Sequence, residues 1–261
     1  MSYLISNFRR VTRELRGVPP SEVPGKIASI ARPKLFKLAE EAAYRTGLGP
    51  RVAKNYRGHG VALMFHEIHD DVDRELRTGC DVDQLSRIIN SVQSEGRDIV
   101  TVSEGLRRLK DPESRPFALL TFDDAYRDNQ RNALPVLEQH DVPMTLFVPT
   151  GMIDRSIYAW WLGLRQVIKT SQVLELPAMK RTFQAGDLAS KTAAMRQITG
   201  WIGTDQARAE TLREIFTVKK ISIPSLVDHY AMDAAQLRAF GEHPLVTIGA
   251  HTKTHRFLSN L

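Results

Sequence analysis

FALLTFDDAYRDN, residues 117–129, carries six mostly apolar side chains straight into two adjacent aspartates. A run of that length and composition reads as a buried strand, which puts the carboxylates at its C-terminal end. The arrangement recurs at LVTIGAHTKTH (245–255), where an apolar strand leads into His251 and His255. In barrels of alternating strands and helices the working side chains sit where strands end. Asp123, Asp124, His251 and His255 are therefore the candidate site.

Working outward, VALMF (61–65) and DIVTV (98–102) read as further strands, with a helix near 81–95 and a short helix, SEGLRRL, opened by Ser103. Downstream, a helix over roughly 128–140 leads to the strand VPMTLFV (142–148). Strands alternating with helices predict the α/β class, with a parallel sheet or an irregular (β/α) barrel. Residues 155–241 interrupt the alternation. SIYAWWLGLRQVIK, DLASKTAAMRQITGWI and TDQARAETLREIF have helical character, and VLELP and KRTFQ suggest a hairpin between the first two, so the segment reads as a mostly helical insertion. The sheet pattern resumes at LVTIGA (245–250). Residues 59–261 thus form one domain containing the 155–241 insertion, and residues 1–58 form an extension.

Composition bounds the chemistry. With 261 residues, 42% hydrophobic and 25% charged, the chain is long enough for one large core. Its single cysteine, Cys80, permits no internal disulfide and no thiolate metal site, so a bound metal must rely on histidine and carboxylate. The net charge of +6 is uneven: residues 1–58 hold 12 Lys/Arg against 4 Asp/Glu, and the remainder holds 24 against 26. In the extension Leu4, Phe8, Val11 and Leu15 fall at helical spacing among arginines, which predicts a short basic amphipathic helix. Such a helix either packs on its own domain or makes a peripheral membrane or protein contact. No nucleic-acid module is recognised, and nucleic acid is not an expected partner. No run of about 18 apolar residues occurs, and arginines occupy the start of the chain where a secretory signal would be apolar, so a soluble, cytoplasmic chain is expected.

One carboxylate and two imidazoles give a divalent cation, Zn2+ first among them, three protein ligands and leave positions open for water and substrate. Two adjacent carboxylates allow one to anchor the cation while the other accepts a proton. Each motif is weak alone, since an H-x-x-x-H pair often only fills structure and an Asp-Asp pair is usually a solvated turn. Their joint placement after apolar strands strengthens them.

TFDDAYRDN with ALPVLEQHDVPMTLFVPTGMID resembles the first motif of the polysaccharide deacetylase family, the carbohydrate esterases with a NodB-homology domain, and HPLVTIGAHTKTHRFLSNL resembles the second. VALMFHEI is similar to the opening strand of one of its subgroups. The resemblance implies an irregular (β/α) barrel, Asp124, His251 and His255 as metal ligands, Asp123 as catalytic base, and hydrolysis of acetyl groups from an N-acetylated oligo- or polysaccharide, O-acetyl esters being the sister substrates. It also implies further strands after the second motif, carrying an arginine that supports the base and a histidine that protonates the leaving amine. Only six residues follow His255. The expectation is therefore a barrel lacking its C-terminal strands, which binds metal but releases acetate poorly, or a non-catalytic metal- and carbohydrate-binding remnant. His66, at the end of the first strand, is a candidate for supporting the metal ligands or binding substrate. Trp160 and Trp161 are candidates for a sugar-stacking wall, although side chains about 100° apart on a helix predict that at most one faces the cleft. His59, His69, His140, His229 and His243 are expected on the surface or in loops.

Overall fold

The computed structural model describes residues 58–70, 76, 79–111 and 113–256, together with Thr46. The amphipathic helix and basic arm expected in residues 1–57 lie outside these residues, as do positions 257–261.

In chain order the first elements are β1 (Gly60–Phe65), β2 (Glu67–His69), β3 (Gly79–Asp81), α1 (Val82–Ser94), β4 (Asp98–Ile99), α2 (Val102–Arg108) and β5 (Phe117–Asp123). A π-type turn at Asn129–Ala133 runs into α3 (Leu134–His140), followed by β6 (Met144–Val148) and α4 (Thr150–Ile153). Next come α5 (Trp160–Thr170), β7 (Val173–Leu176), β8 (Arg181–Gln184), α6 (Leu188–Ile202), α7 (Gln206–Glu210) and α8 (Leu212–Val218). The last are α9 (Ile223–Tyr230), α10 (Ala234–Gly241) and β9 (Val246–Ala250).

The main sheet is parallel, in the order β1-β5-β6-β9, with β4 pairing the start of β5. Among the described residues it is open at β1 and β9, an incomplete irregular (β/α) barrel. Phe65 lies opposite Phe122, Asp123 opposite Phe147, and Val148 opposite Ala250. That register ends β1, β5 and β9 at one level, so the residues following them share a rim. Phe122, Leu120, Leu146 and Phe65 pack with Leu85 and Ile89 of α1 and Leu137 of α3, which explains the near-continuous apolar runs of the strands.

The segment between β6 and β9 builds its own core from Leu162, Ile168, Ile198, Leu212, Phe216 and Val227, with Tyr126 and Met152 joining from the sheet side. The β7–β8 hairpin is antiparallel, as the VLELP and KRTFQ patterns suggest. Three local readings need correction. DIVTV yields only a two-residue strand because the Thr101 side chain accepts a hydrogen bond from Glu104 N and starts α2 two residues before Ser103 is reached. TDQARAETLREIF forms two helices that meet at Thr211. His69 is buried in β2, 5% exposed, rather than in a surface loop.

Candidate metal centre

Side chains alternate along a strand, so Asp123 and Asp124 in regular β structure would face opposite ways. The backbone prevents this. β5 ends at Asp123, and Asp124 and Ala125 take left-handed conformations at φ 73° and 54°. Asp124 N still donates to Phe147 O at 3.1 Å, so the turn begins while the sheet holds the chain. Both carboxylates are buried and both reach the histidine loop. After β9, His251 N donates to Val148 O at 3.0 Å, and the loop is tied to α4 by Thr150 N to Thr252 O and Gly151 N to Lys253 O. Thr252 and His255 also have positive φ, 61° and 55°, and His255 N donates to Thr252 Oγ1 at 3.0 Å. Non-glycine residues held left-handed cost energy and collect at functional sites.

The sequence-derived quartet converges. One ligand atom from each of Asp124, His251 and His255 lies within 4.8 Å of the other two. His255 Nε2 stands 3.3 Å from Asp124 Oδ1, and His251 Nε2 stands 3.9 Å from Asp123 Oδ2. Asp124 Oδ1 is buried without a hydrogen bond, so the 3.3 Å approach of His255 is a close contact lacking hydrogen-bond geometry. An orphaned carboxylate oxygen facing imidazole nitrogens suits a cation between them, and ligands of a tetrahedral zinc ion stand about 3.4 Å apart. The donor set thus fits a divalent metal, with Asp123 beside it.

Burial raises the pKa of Asp124 above its ordinary value, against the pull of His255, His66 and His251; the neighbouring Asp123 pushes in the same direction as burial. His255 moves the opposite way. Burial lowers its pKa, while Asp124 opposes the shift. Both shifts disfavour charge in a site without a cation.

A cleft of about 310 Å³ opens on this point, lined by Asp124, His255 and His66 on the sheet side and by Met195, Thr199 and Gln206 of the insertion on the other. His66 therefore belongs to the rim, as its strand-end position suggests. Trp160 and Trp161 both line the cleft, which corrects the expectation that only one would. They stand nearly perpendicular, ring centroids 6.0 Å apart, at the first turn of α5, where the cleft wraps around the helix end. Trp161 packs on His255 at 5.0 Å between ring centroids and donates from Nε1 to Tyr126 Oη at 2.8 Å.

Sequence reasoning missed Tyr126, buried two residues past Asp124, and the buried pair of Glu67 in β2 with Arg165 in α5. Arg165 Nη1 donates to both Glu67 carboxylate oxygens, at 2.9 and 2.7 Å. A glutamate in the short strand Glu67–His69 and an arginine in a distant helix share no spacing that would link them. The available signal was Glu67 itself, a charged residue just past the apolar run 61–65 and beside the apolar Ile68.

A search of curated protein sequences finds no match. Among solved structures, the Streptococcus pyogenes deacetylase PplD in complex with acetate is 27% identical, with 38% of this chain and 46% of that one aligned at a TM-score of 0.33. IcaB from Ammonifex degensii is 20% identical, covering 42% of this chain and 48% of that one, with a TM-score of 0.34. The BpsB deacetylase domain from Bordetella bronchiseptica is 15% identical over 74% of this chain and 53% of that one, with a TM-score of 0.34. The chain thus spans less than half the length of the first two. The sequence model of the polysaccharide deacetylase family matches residues 110–261, more than half of the 261 residues, from before β5 through the histidine motif. The chain belongs to the polysaccharide deacetylase family.

Proposed function

We propose that this chain is a metal-dependent hydrolase that removes acetyl groups from an N-acetylated oligo- or polysaccharide. The observation that carries the reading is the meeting of Asp124, His251 and His255 at one rim of the sheet, with Asp123 beside them and a cleft above. In this reading Asp124, His251 and His255 hold the ion. A bound divalent ion, zinc first among the candidates, supplies Lewis acidity that activates water near neutral pH and polarises the acetyl carbonyl. Asp123, 6% exposed and facing His251, is the base that takes the proton from the attacking water. The water oxygen bonds to the acetyl carbon, the C–N bond breaks, and the sugar amine leaves with a proton while acetate is released.

The amine needs that proton from an acid. His66 lines the same cleft as Asp124 and His255, and its charge bears on both. In this reading it is the group we assign to protonating the amine. Asn129 Nδ2 donates to His66 O at 2.8 Å and fixes the backbone that presents it. Trp160 offers an aromatic face to a sugar ring on the insertion side. The experiment is acetate release from an N-acetylglucosamine oligomer, with and without zinc. Replacing His66 by Gln is expected to lower turnover by about 100-fold to 10,000-fold with zinc still bound. Turnover unchanged in His66→Gln removes His66 from the mechanism.

A further inference from the structure

All three residues assigned to the metal come from the ends of sheet strands, yet the ring of one of them rests on the insertion. His255 sits in a loop at positive φ, and its backbone is held by Thr252. Among the described residues its ring has no hydrogen-bond partner. A metal-binding histidine is ordinarily oriented by a contact to the part of its ring that faces away from the metal. Trp161 lies against it, 5.0 Å between centroids and tilted by 48°. The same indole donates to Tyr126 Oη at 2.8 Å, and Tyr126 is 1% exposed and two residues from Asp124. One side chain of α5 thus touches both ligand-bearing loops, the one after β5 and the one after β9.

The helix that carries Trp161 is itself anchored one turn further on. Arg165 is four residues along and shares the helix face. It is buried against Glu67 of β2, side chains 4% and 0% exposed, and its guanidinium lies 4.6 Å from the Tyr230 ring centroid. Taking two charges out of water offsets much of what their attraction gains, so a buried pair of this kind is a weak stabiliser, and its best-attested use is to specify register. Here the register it specifies is that of α5 against β2, the strand that directly follows β1, and α5 carries the Trp161 ring.

We propose that Trp161 is a positioning residue for His255, held in place by the Glu67–Arg165 pair, so that the helical insertion sets the metal affinity of a site whose ligands lie in the loops after β5 and β9. The inference rests on the reading of Asp124, His251 and His255 as the metal site, and its test separates the two. Zinc affinity is measured by titration calorimetry on the full chain for the wild type and for Trp161→Ala, Trp161→Phe, Trp160→Ala and His255→Ala. The visible spectrum of the cobalt-substituted protein and the melting temperature of the metal-free protein are recorded for each. Trp161→Ala is expected to lose about tenfold to a hundredfold in zinc affinity and to shift the cobalt bands. Trp161→Phe keeps a ring against His255 and is expected to recover most of that loss, while Trp160→Ala stays within threefold of the wild type. A second arm replaces the ion pair as a unit, with Glu67→Leu and Arg165→Met together; a folded protein with weakened zinc binding supports the anchoring role. Wild-type affinity and an unshifted cobalt spectrum in Trp161→Ala would overturn the proposal, as would wild-type affinity in the double variant for the anchor. Zinc binding indifferent to His255→Ala would overturn the metal site itself, and the inference with it.

Discussion

Asp124 is 2% exposed, has an orphaned Oδ1, adopts a left-handed backbone, and has its pKa raised first of all by burial. A carboxyl whose folded pKa lies above its unfolded value destabilises the fold as pH rises from the unfolded pKa through the folded one, and the deficit is complete above both. In the metal-free protein Asp124→Asn should therefore raise stability at pH 7 by about 1–3 kcal/mol, the cost of an unsatisfied buried group, or about 2–4 °C in Tm per kcal/mol. Scanning calorimetry at pH 7 and pH 4 checks this. The gain should shrink at pH 4 and zinc binding should be lost at both, whereas an Asn variant less stable at pH 7 contradicts the assignment. Cys80 offers a second test at this scale. Burial first, then the charges of Asp81 and Asp128, push its thiol from 9.0 up to about 11. Its alkylation by iodoacetamide at pH 8 should be on the order of a hundredfold slower than that of a free cysteine, because the reactive thiolate is that much rarer. The four motif residues were legible in the sequence because the Asp-Asp pair and the H-x-x-x-H motif each begin directly after an apolar run. Tyr126 and Glu67 were not, since their roles depend on contacts with α5 from about 35 and 98 residues away.

Element boundaries followed caps more closely than apolar runs. Asp81 and Gln84 form a reciprocal capping box that starts α1 within a residue of its expected position, whereas Thr101 shortens β4 by claiming Glu104 N. The helices α9 and α10 went unassigned in the sequence although each carries its own start signal: Ser222 before a proline-containing first turn, and Asp233 boxed with Gln236. In the insertion, side chains of α8 and α9 pack directly onto Gly163 of α5. A Cβ there would approach Ile223 Cδ1 and Phe216 Cζ, both to 2.6 Å. These are side-chain ends that can shift, so Gly163→Ala should cost about 1–3 kcal/mol and lower Tm without unfolding the chain. A variant as stable as the wild type would mean that α5, α8 and α9 pack more loosely than the structure has them.

At the scale of the whole described domain, two cores sit side by side, one between sheet and helices and one inside the insertion. Tyr126, two residues past Asp124, belongs to the insertion core, and the Glu67–Arg165 pair ties β2 to α5. The α/β class, the parallel sheet and the helical insertion were all legible, because strand and helix periods differ and the insertion interrupts a repeating pattern. The insertion walls the cleft through Met195, Thr199 and Gln206. No helix among the described residues is long and apolar enough to cross a membrane. The most direct test of metal-dependent deacetylation is acetate released from an N-acetylglucosamine oligomer by the wild type, by the wild type stripped with a chelator and then resupplied with zinc, and by Asp123→Asn. Chelation should abolish release, zinc should restore it, and Asp123→Asn should bind zinc normally while turning over at least about 100-fold more slowly. Acetate release that survives chelation, or a zinc-loaded wild type that releases none, would contradict the account.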